Sequence, residues 1–88
     1  MTSREIAEAI YSIENADLKT KREWMKAGTW RWKLGDGVYL EETSNLLSWN
    51  VWQFDEADME YRYKVLPRAH YRAARLETIL EAQAWVHI

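Results

Sequence analysis

The spacing of apolar residues changes at residue 29, and this change restricts the possible folds more than any other feature. Before it, apolar residues recur every three or four positions, as on one face of a helix: Ile6, Ala9, Ile10 and Ile13. After it, they recur at every second position, as on one face of a strand: Trp30, Trp32 and Leu34. The pattern therefore predicts helices followed by strands, in a mixed α+β chain.

Three helices are expected. Thr2 and Glu5 fit a capping box at the start of the first helix, and Asp17 can cap a second helix over residues 18–27. A last helix is expected to begin near Pro67, because proline suits the first helical turn. Its buried stripe would consist of small and apolar residues: Ala69, Ala73, Leu76, Ile79, Leu80 and Ala84.

Four strands are expected between the second and third helices. Gly35-Asp36-Gly37 separates two alternating segments and predicts a β-hairpin. Residues 43–54 fit a helix or a strand, and the strand is preferred because Trp, Val and Phe favour extended backbone. As a strand, this segment would turn one set of side chains inward: Leu47, Trp49 and Val51. Residues 59–65 alternate and predict the fourth strand.

The expected architecture is a two-layer α+β fold in the order α-α-β-β-β-β-α, with residues 1–88 as a single compact domain. An antiparallel four-stranded meander would be covered on one face by the three helices. The covered face would hold most of the large side chains: Trp30, Trp32, Leu34, Val38, Leu40, Trp49, Tyr61, Tyr63 and Val65. Arg62 and Lys64 would then point to the open face, beside Arg31 and Lys33.

The composition excludes several classes of protein. The chain has no cysteine, which removes disulfides, cysteine-ligated zinc and thiol nucleophiles together. Its start does not read as a signal peptide, and no stretch approaches the ~20 apolar residues of a membrane span. We therefore expect a soluble cytoplasmic protein that does not act at a membrane.

No motif of known chemistry is recognisable. His70 and His87 have no evident partner for acid–base catalysis, and the serines lie in no nucleophile context. The acidic segment 55–60 lacks the glycine and the terminal glutamate of a calcium loop. A protein without enzymatic activity, metal or cofactor is expected.

The net charge is −2, but the cations are unevenly distributed. Residues 61–75 contain five cations and no acid: Arg62, Lys64, Arg68, Arg72 and Arg75. In a helix that begins at Pro67, the last three would share a face, with Tyr71 near its edge. Guanidinium groups and aromatic rings suit phosphates and bases, so nucleic-acid binding through residues 61–75 is one hypothesis.

The preferred hypothesis rests on the aromatic residues, which include six Trp and five Tyr in 88 residues. The chain has more large rings than a small core can hide, and Trp52 and Phe54 are expected to remain outside it. Exposed rings beside arginine commonly anchor protein interfaces. We expect a non-enzymatic interaction module that binds another protein or a second copy of itself, similar in composition to phage and mobile-element accessory or inhibitor proteins. The expected partner-binding residues are Trp52, Phe54, Arg62, Lys64, Arg68, Tyr71, Arg72, Arg75 and Trp85.

Overall fold

The described residues form three helices and a five-stranded antiparallel sheet, in agreement with the helical and the strand spacing of apolar residues in the sequence. The structure is a computed structural model that describes residues 1–69 and 72–88. Its elements are α1 (Ser3–Glu14), α2 (Leu18–Ala27), β1 (Arg31–Gly35), β2 (Val38–Glu42), β3 (Ser48–Asp55), β4 (Glu60–Pro67), α3 (Ala73–Ala82) and β5 (Val86–His87). The strands pair in the order β1-β2-β3-β4-β5. The expected α+β order is confirmed, and the short β5 is an addition to it.

Local side-chain chemistry fixes the limits of α1 and α2. The capping box is confirmed, since Thr2 Oγ1 accepts from Glu5 N at 3.1 Å and Glu5 bonds back to the Thr2 backbone. Asp17 Oδ1 accepts from Thr20 N at 2.8 Å and caps α2. The helix ends at Gly28, whose φ of 67° lies in the left-handed region that glycine adopts without strain.

The predicted hairpin at residues 35–37 joins β1 to β2. Gly37 has a φ of 68°, and a Cβ atom there would lie 3.1 Å from Phe54 Cβ, so this position needs glycine. The next segment is a strand from Ser48 onward, which confirms the choice of strand over helix. Residues 43–47 are irregular, however, and Leu47 is 68% exposed and does not turn inward.

The core lies between the sheet and helices α1 and α3. We call the sheet surface that faces this core the inner face, and the opposite surface the outer face. Five helical and five strand residues are buried there: Ile6, Ala7, Ile10, Leu76, Leu80, Val38, Leu40, Trp49, Val51 and Leu66. Trp32 and Leu34 pack against them, as predicted. Helix α2 buries no residue and reaches the core through the Trp24 ring, whose centroid lies 5.7 Å from that of Trp32.

The side chains of strand β4 that face the core are the opposite set from the one predicted. Asp55 pairs with Glu60, which leaves a loop of four residues, 56–59, between β3 and β4. This register places Lys64 opposite Val51 and therefore on the inner face. The even-numbered residues of β4 point inward as a result, whereas three residues expected in the core lie on the outer face: Tyr61, Tyr63 and Val65. A loop one residue longer or shorter would have reversed the faces.

Two further expectations are wrong. Trp30 precedes β1 and is 57% exposed, so it is not part of the core. Pro67 ends β4 and does not begin a helix, because the backbone continues its pairing there, with Arg68 N donating to Leu47 O at 3.0 Å. The last helix therefore starts at Ala73, and Ala69 lies outside it.

Candidate functional site

The outer face carries five aromatic side chains on three adjacent strands. We call them the aromatic cluster: Tyr39 from β2, Trp52 and Phe54 from β3, and Tyr61 and Tyr63 from β4. Strand register brings them together, because Tyr39 pairs with Trp52, and Trp52 pairs with Tyr63. The Trp52 and Tyr63 ring centroids lie 4.9 Å apart, and those of Phe54 and Tyr61 lie 5.0 Å apart. The cluster is a continuous aromatic surface.

A groove of about 580 Å³ runs along this surface. Its lining combines three rings, two cations and an aliphatic side chain: Tyr39, Trp52, Tyr61, Arg31, Lys33 and Ile88. Tyr61 is 41% exposed and Ile88 is 75% exposed, so the groove opens to solvent. A groove of this volume, mostly apolar with a few charged groups, is typical of a ligand or peptide site.

The charges on the outer face partly cancel. Arg31 Nε lies 2.5 Å from Glu41 Oε2, and Asn50 Nδ2 lies 3.5 Å from Glu41 Oε1. Partial burial acts to raise the pKa of Glu41, but hydrogen bonds from Arg31, Asn50 and Trp52 outweigh it and lower the pKa below its ordinary value. Lys33 forms no ion pair within residues 1–69 and 72–88. The face therefore combines one paired cation with one solvated cation.

Of the predicted site residues, Trp52 and Phe54 lie in the aromatic cluster. Arg62 and Lys64 do not join them, because both point to the inner face. Arg62 Nη2 pairs with Asp55 Oδ2 at 2.9 Å and also with Asp58.

Lys64 is 6% exposed, and its Nζ donates to the Leu80 carbonyl oxygen and lies 4.4 Å from the Trp85 ring centroid. Burial lowers the pKa of Lys64, and the charge of Glu81 opposes that shift.

The remaining predicted site residues are dispersed. Arg68 lies outside α3, where its Nη2 pairs with Glu42 at 2.8 Å and its guanidinium carbon lies 5.0 Å from the Trp49 ring centroid. It therefore shares no helical face with Arg72, which caps α3, or with Arg75, which lies within it. Trp85 packs against the core. Tyr71 and His70 lie outside the described residues.

The sequence interpretation assigned Tyr61 and Tyr63 to the core, and it placed Tyr39 on the opposite face without including it in the predicted site. The alternation in residues 59–65 suggests a buried odd-numbered face, but Leu66 follows it and fits the even-numbered face. The signal that could have resolved this is the loop length after Asp55, which sets the register of β4. Asp55 Oδ1 accepts from Ala57 N at 2.9 Å, and Met59 has a φ of 53°, so the loop is held in a defined turn.

Other polar groups are engaged in small local contacts. His87 Nδ1 lies 3.1 Å from Glu60 Oε2, and both side chains are about half exposed.

Within residues 1–69 and 72–88, no group of three or more His, Cys, Asp or Glu side chains could hold a metal ion. No helix in the same part of the chain is long and apolar enough to span a bilayer.

Comparison with protein families, with curated proteins and with solved structures found no match to this chain.

Proposed function

We propose that this chain is a non-enzymatic interaction module that binds another protein through the outer face of its sheet. The observation that best supports this proposal is the aromatic cluster, whose five rings lie on the side of the sheet opposite the core. Uncovered aromatic surface of this kind is typical of a partner site.

The cluster has the properties of interface anchors. Trp and Tyr supply large contact area with few rotatable bonds, and here they are braced by neighbouring rings before any partner arrives. Such preorganisation reduces the entropy lost on binding. Arg31, Lys33 and Glu41 provide a mixed-charge rim that would set the orientation of the partner.

A protein suits this face better than a nucleic acid does. The Glu41 carboxylate, whose pKa is lowered, stays ionised on the face and neutralises Arg31. Phosphate binding grows with the number of available cations, and on the outer face Lys33 is the one cation without an ion pair in residues 1–69 and 72–88. The hypothesis of nucleic-acid binding through residues 61–75 is also weakened, since Arg62, Lys64 and Arg68 make internal contacts.

The proposal includes a cytoplasmic location, supported by the absence of cysteine, and a role as a phage or mobile-element accessory or inhibitor protein, supported by composition alone.

The test uses two exposed tyrosines as a matched pair, Tyr61 at 41% and Tyr11 on α1 at 40% exposure. Immobilised wild type, Tyr61→Ala and Tyr11→Ala proteins are incubated with lysate of the native host, with and without nuclease treatment, and a captured partner is purified for calorimetry. We expect Tyr61→Ala to weaken binding by roughly 30-fold, as for a central anchor, and Tyr11→Ala to leave it unchanged.

Equal binding by both variants would contradict the proposal, as would a partner lost on nuclease treatment. If the captured partner is the chain itself, equilibrium sedimentation should show a dimer that Tyr61→Ala dissociates and Tyr11→Ala retains.

A further inference from the structure

Positive charge is concentrated in one segment of the chain, which runs from α2 to Arg31 and Lys33 at the groove. Residues 18–33 hold six of the twelve Lys and Arg side chains and one of the fourteen acids. The formal charge is therefore +5 in this segment and −7 over the remainder. Such a separation gives an otherwise acidic protein a localised positive field.

Helix α2, which carries most of this charge, is attached to the rest of the molecule along one side. Trp24 meets Trp32 edge to face, and Lys21 Nζ donates to the Glu14 carbonyl oxygen at 2.7 Å. Thr20, Lys21 and Trp24 are half-buried, whereas the other seven residues of α2 are exposed. The opposite side of the helix is therefore open to solvent.

Three cations share that open side. Lys19, Arg22 and Lys26 are spaced i, i+3 and i+7, which places them in one row, and we call them the α2 stripe. All three are exposed, and none forms an ion pair within the described ranges. Exposed cations without local counter-charges are available to an external anion.

We propose that the α2 stripe binds the phosphate backbone of duplex nucleic acid, without regard to base sequence. Seven residues of helix rise about 10 Å, the length over which one strand of a duplex presents about three phosphates. The helix holds the three cations at fixed spacing, so little additional ordering is needed on binding.

A lipid surface is the less suitable polyanion. Leu18 and Met25, at 63% and 75% exposure, flank the stripe, but two apolar side chains on ten residues offer little area for insertion. The stripe also lies apart from the proposed protein site, since it is on a helix and the aromatic cluster is on the outer face of the sheet. A protein partner and a nucleic acid would therefore bind different surfaces.

The test uses the full chain and a fluorescein-labelled DNA duplex of mixed sequence, with binding followed by anisotropy. Wild type is expected to bind with a dissociation constant on the order of 10–100 µM at 50 mM KCl. With three phosphate contacts, the log–log salt slope should be about −2.7, which weakens binding roughly 40-fold at 200 mM KCl. Arg22→Gln should make the slope shallower by about 1.

The decisive variant combines Lys19→Gln, Arg22→Gln and Lys26→Gln, and its helix content is checked by circular dichroism. It should lose detectable duplex binding at 50 mM KCl. The control, Arg72→Gln with Arg75→Gln, removes two other exposed cations and should retain it.

Three results would overturn the proposal. The first is that wild type shows no salt-dependent binding to the duplex. The second is that the Arg72 and Arg75 control loses as much duplex binding as the triple variant, or more. The third is that wild type binds phosphatidylserine vesicles but not the duplex. Tyr61→Ala should leave duplex binding unchanged, so failure of the protein-binding proposal would be distinguishable from failure of this one.

Discussion

The two faces of the sheet carry the same kinds of side chain in opposite environments. Trp49 on the inner face is 1% exposed, and its Nε1 donates to the Glu14 carboxylate. Trp52, three positions along the same strand, lies on the outer face and contacts Tyr63. Likewise Lys64 is buried against a helix end, whereas Lys33 is exposed and unpaired in the described part of the chain. Residue type therefore does not decide which face is the core.

Specific partners on the inner face accept the polar groups of Lys64 and Trp49. The inner face accepts Lys64 because the Leu80 carbonyl and the Trp85 ring receive its ammonium group. It accepts Trp49 because Glu14 takes its indole proton. The rings of the outer face are half-buried or, at Tyr61, exposed, and it is therefore the face on which a partner can still bury apolar area.

The largest expected effect is on the free energy of unfolding, and it distinguishes the two tryptophans of β3. Trp49→Ala should lower the free energy of unfolding by about 3–5 kcal/mol, because it leaves a cavity in the core. Trp52→Ala should cost about 1 kcal/mol, the loss of one half-exposed aromatic pair. Urea unfolding followed by circular dichroism measures both. Similar costs for the two variants would show that the faces are not energetically different.

An intermediate effect is expected at Glu14, which links the inner face to the segment before α3. Its carboxylate accepts from Trp49 Nε1 and, at 2.8 Å, from Ala69 N. Glu14→Gln should cost about 1–3 kcal/mol, because the amide keeps one acceptor oxygen and its NH2 group cannot accept a hydrogen bond. Glu8→Gln on the same helix breaks only an exposed pair with Arg4 and should cost less than about 0.5 kcal/mol. A Glu14→Gln variant as stable as the Glu8→Gln variant would refute this role.

The smallest effect is the pH dependence from Lys64. Burial lowers its pKa in the folded chain, so between that pKa and the ordinary value of about 10.4 the unfolded chain binds more protons. Stability from this group should therefore rise with pH across that window. The difference in unfolding free energy between wild type and Lys64→Met should increase from pH 7 to pH 10, and parallel curves would contradict the assignment. Taking the difference cancels the titration of the tyrosines.

Much of the fold follows from local sequence signals. The capping box at Thr2, the Asp17 cap and the hairpin at Gly37 each depend on residues within a few positions of one another. Such signals can be read from short stretches of the sequence. The strand at residues 48–55 was also predictable, since its residues favour extended backbone.

The start of the last helix was not predictable from such signals. Pro67 suits a first helical turn, but here it continues a strand, and the Ala69 N–H is taken by the Glu14 carboxylate from across the molecule. A contact between residues 55 positions apart in sequence leaves no local trace. The predicted alignment of Arg68 with Arg72 failed for this reason.

The candidate site was predicted in part. Trp52 and Phe54 were identified because the chain has more rings than a small core can hold. Tyr61 and Tyr63 were assigned to the core, because alternation shows that a strand has two faces without showing which one is buried.

The sequence by itself determined the type and order of the three helices and of β1 to β4, because their periods and caps are local. Only the tertiary structure decided which side of β4 became the core, because that depends on the four-residue loop after Asp55 and on a carbonyl of α3 that receives Lys64. One residue more or less in that loop would exchange the two faces of β4, and Tyr61 and Tyr63 would lie under the helices, away from Tyr39, Trp52 and Phe54.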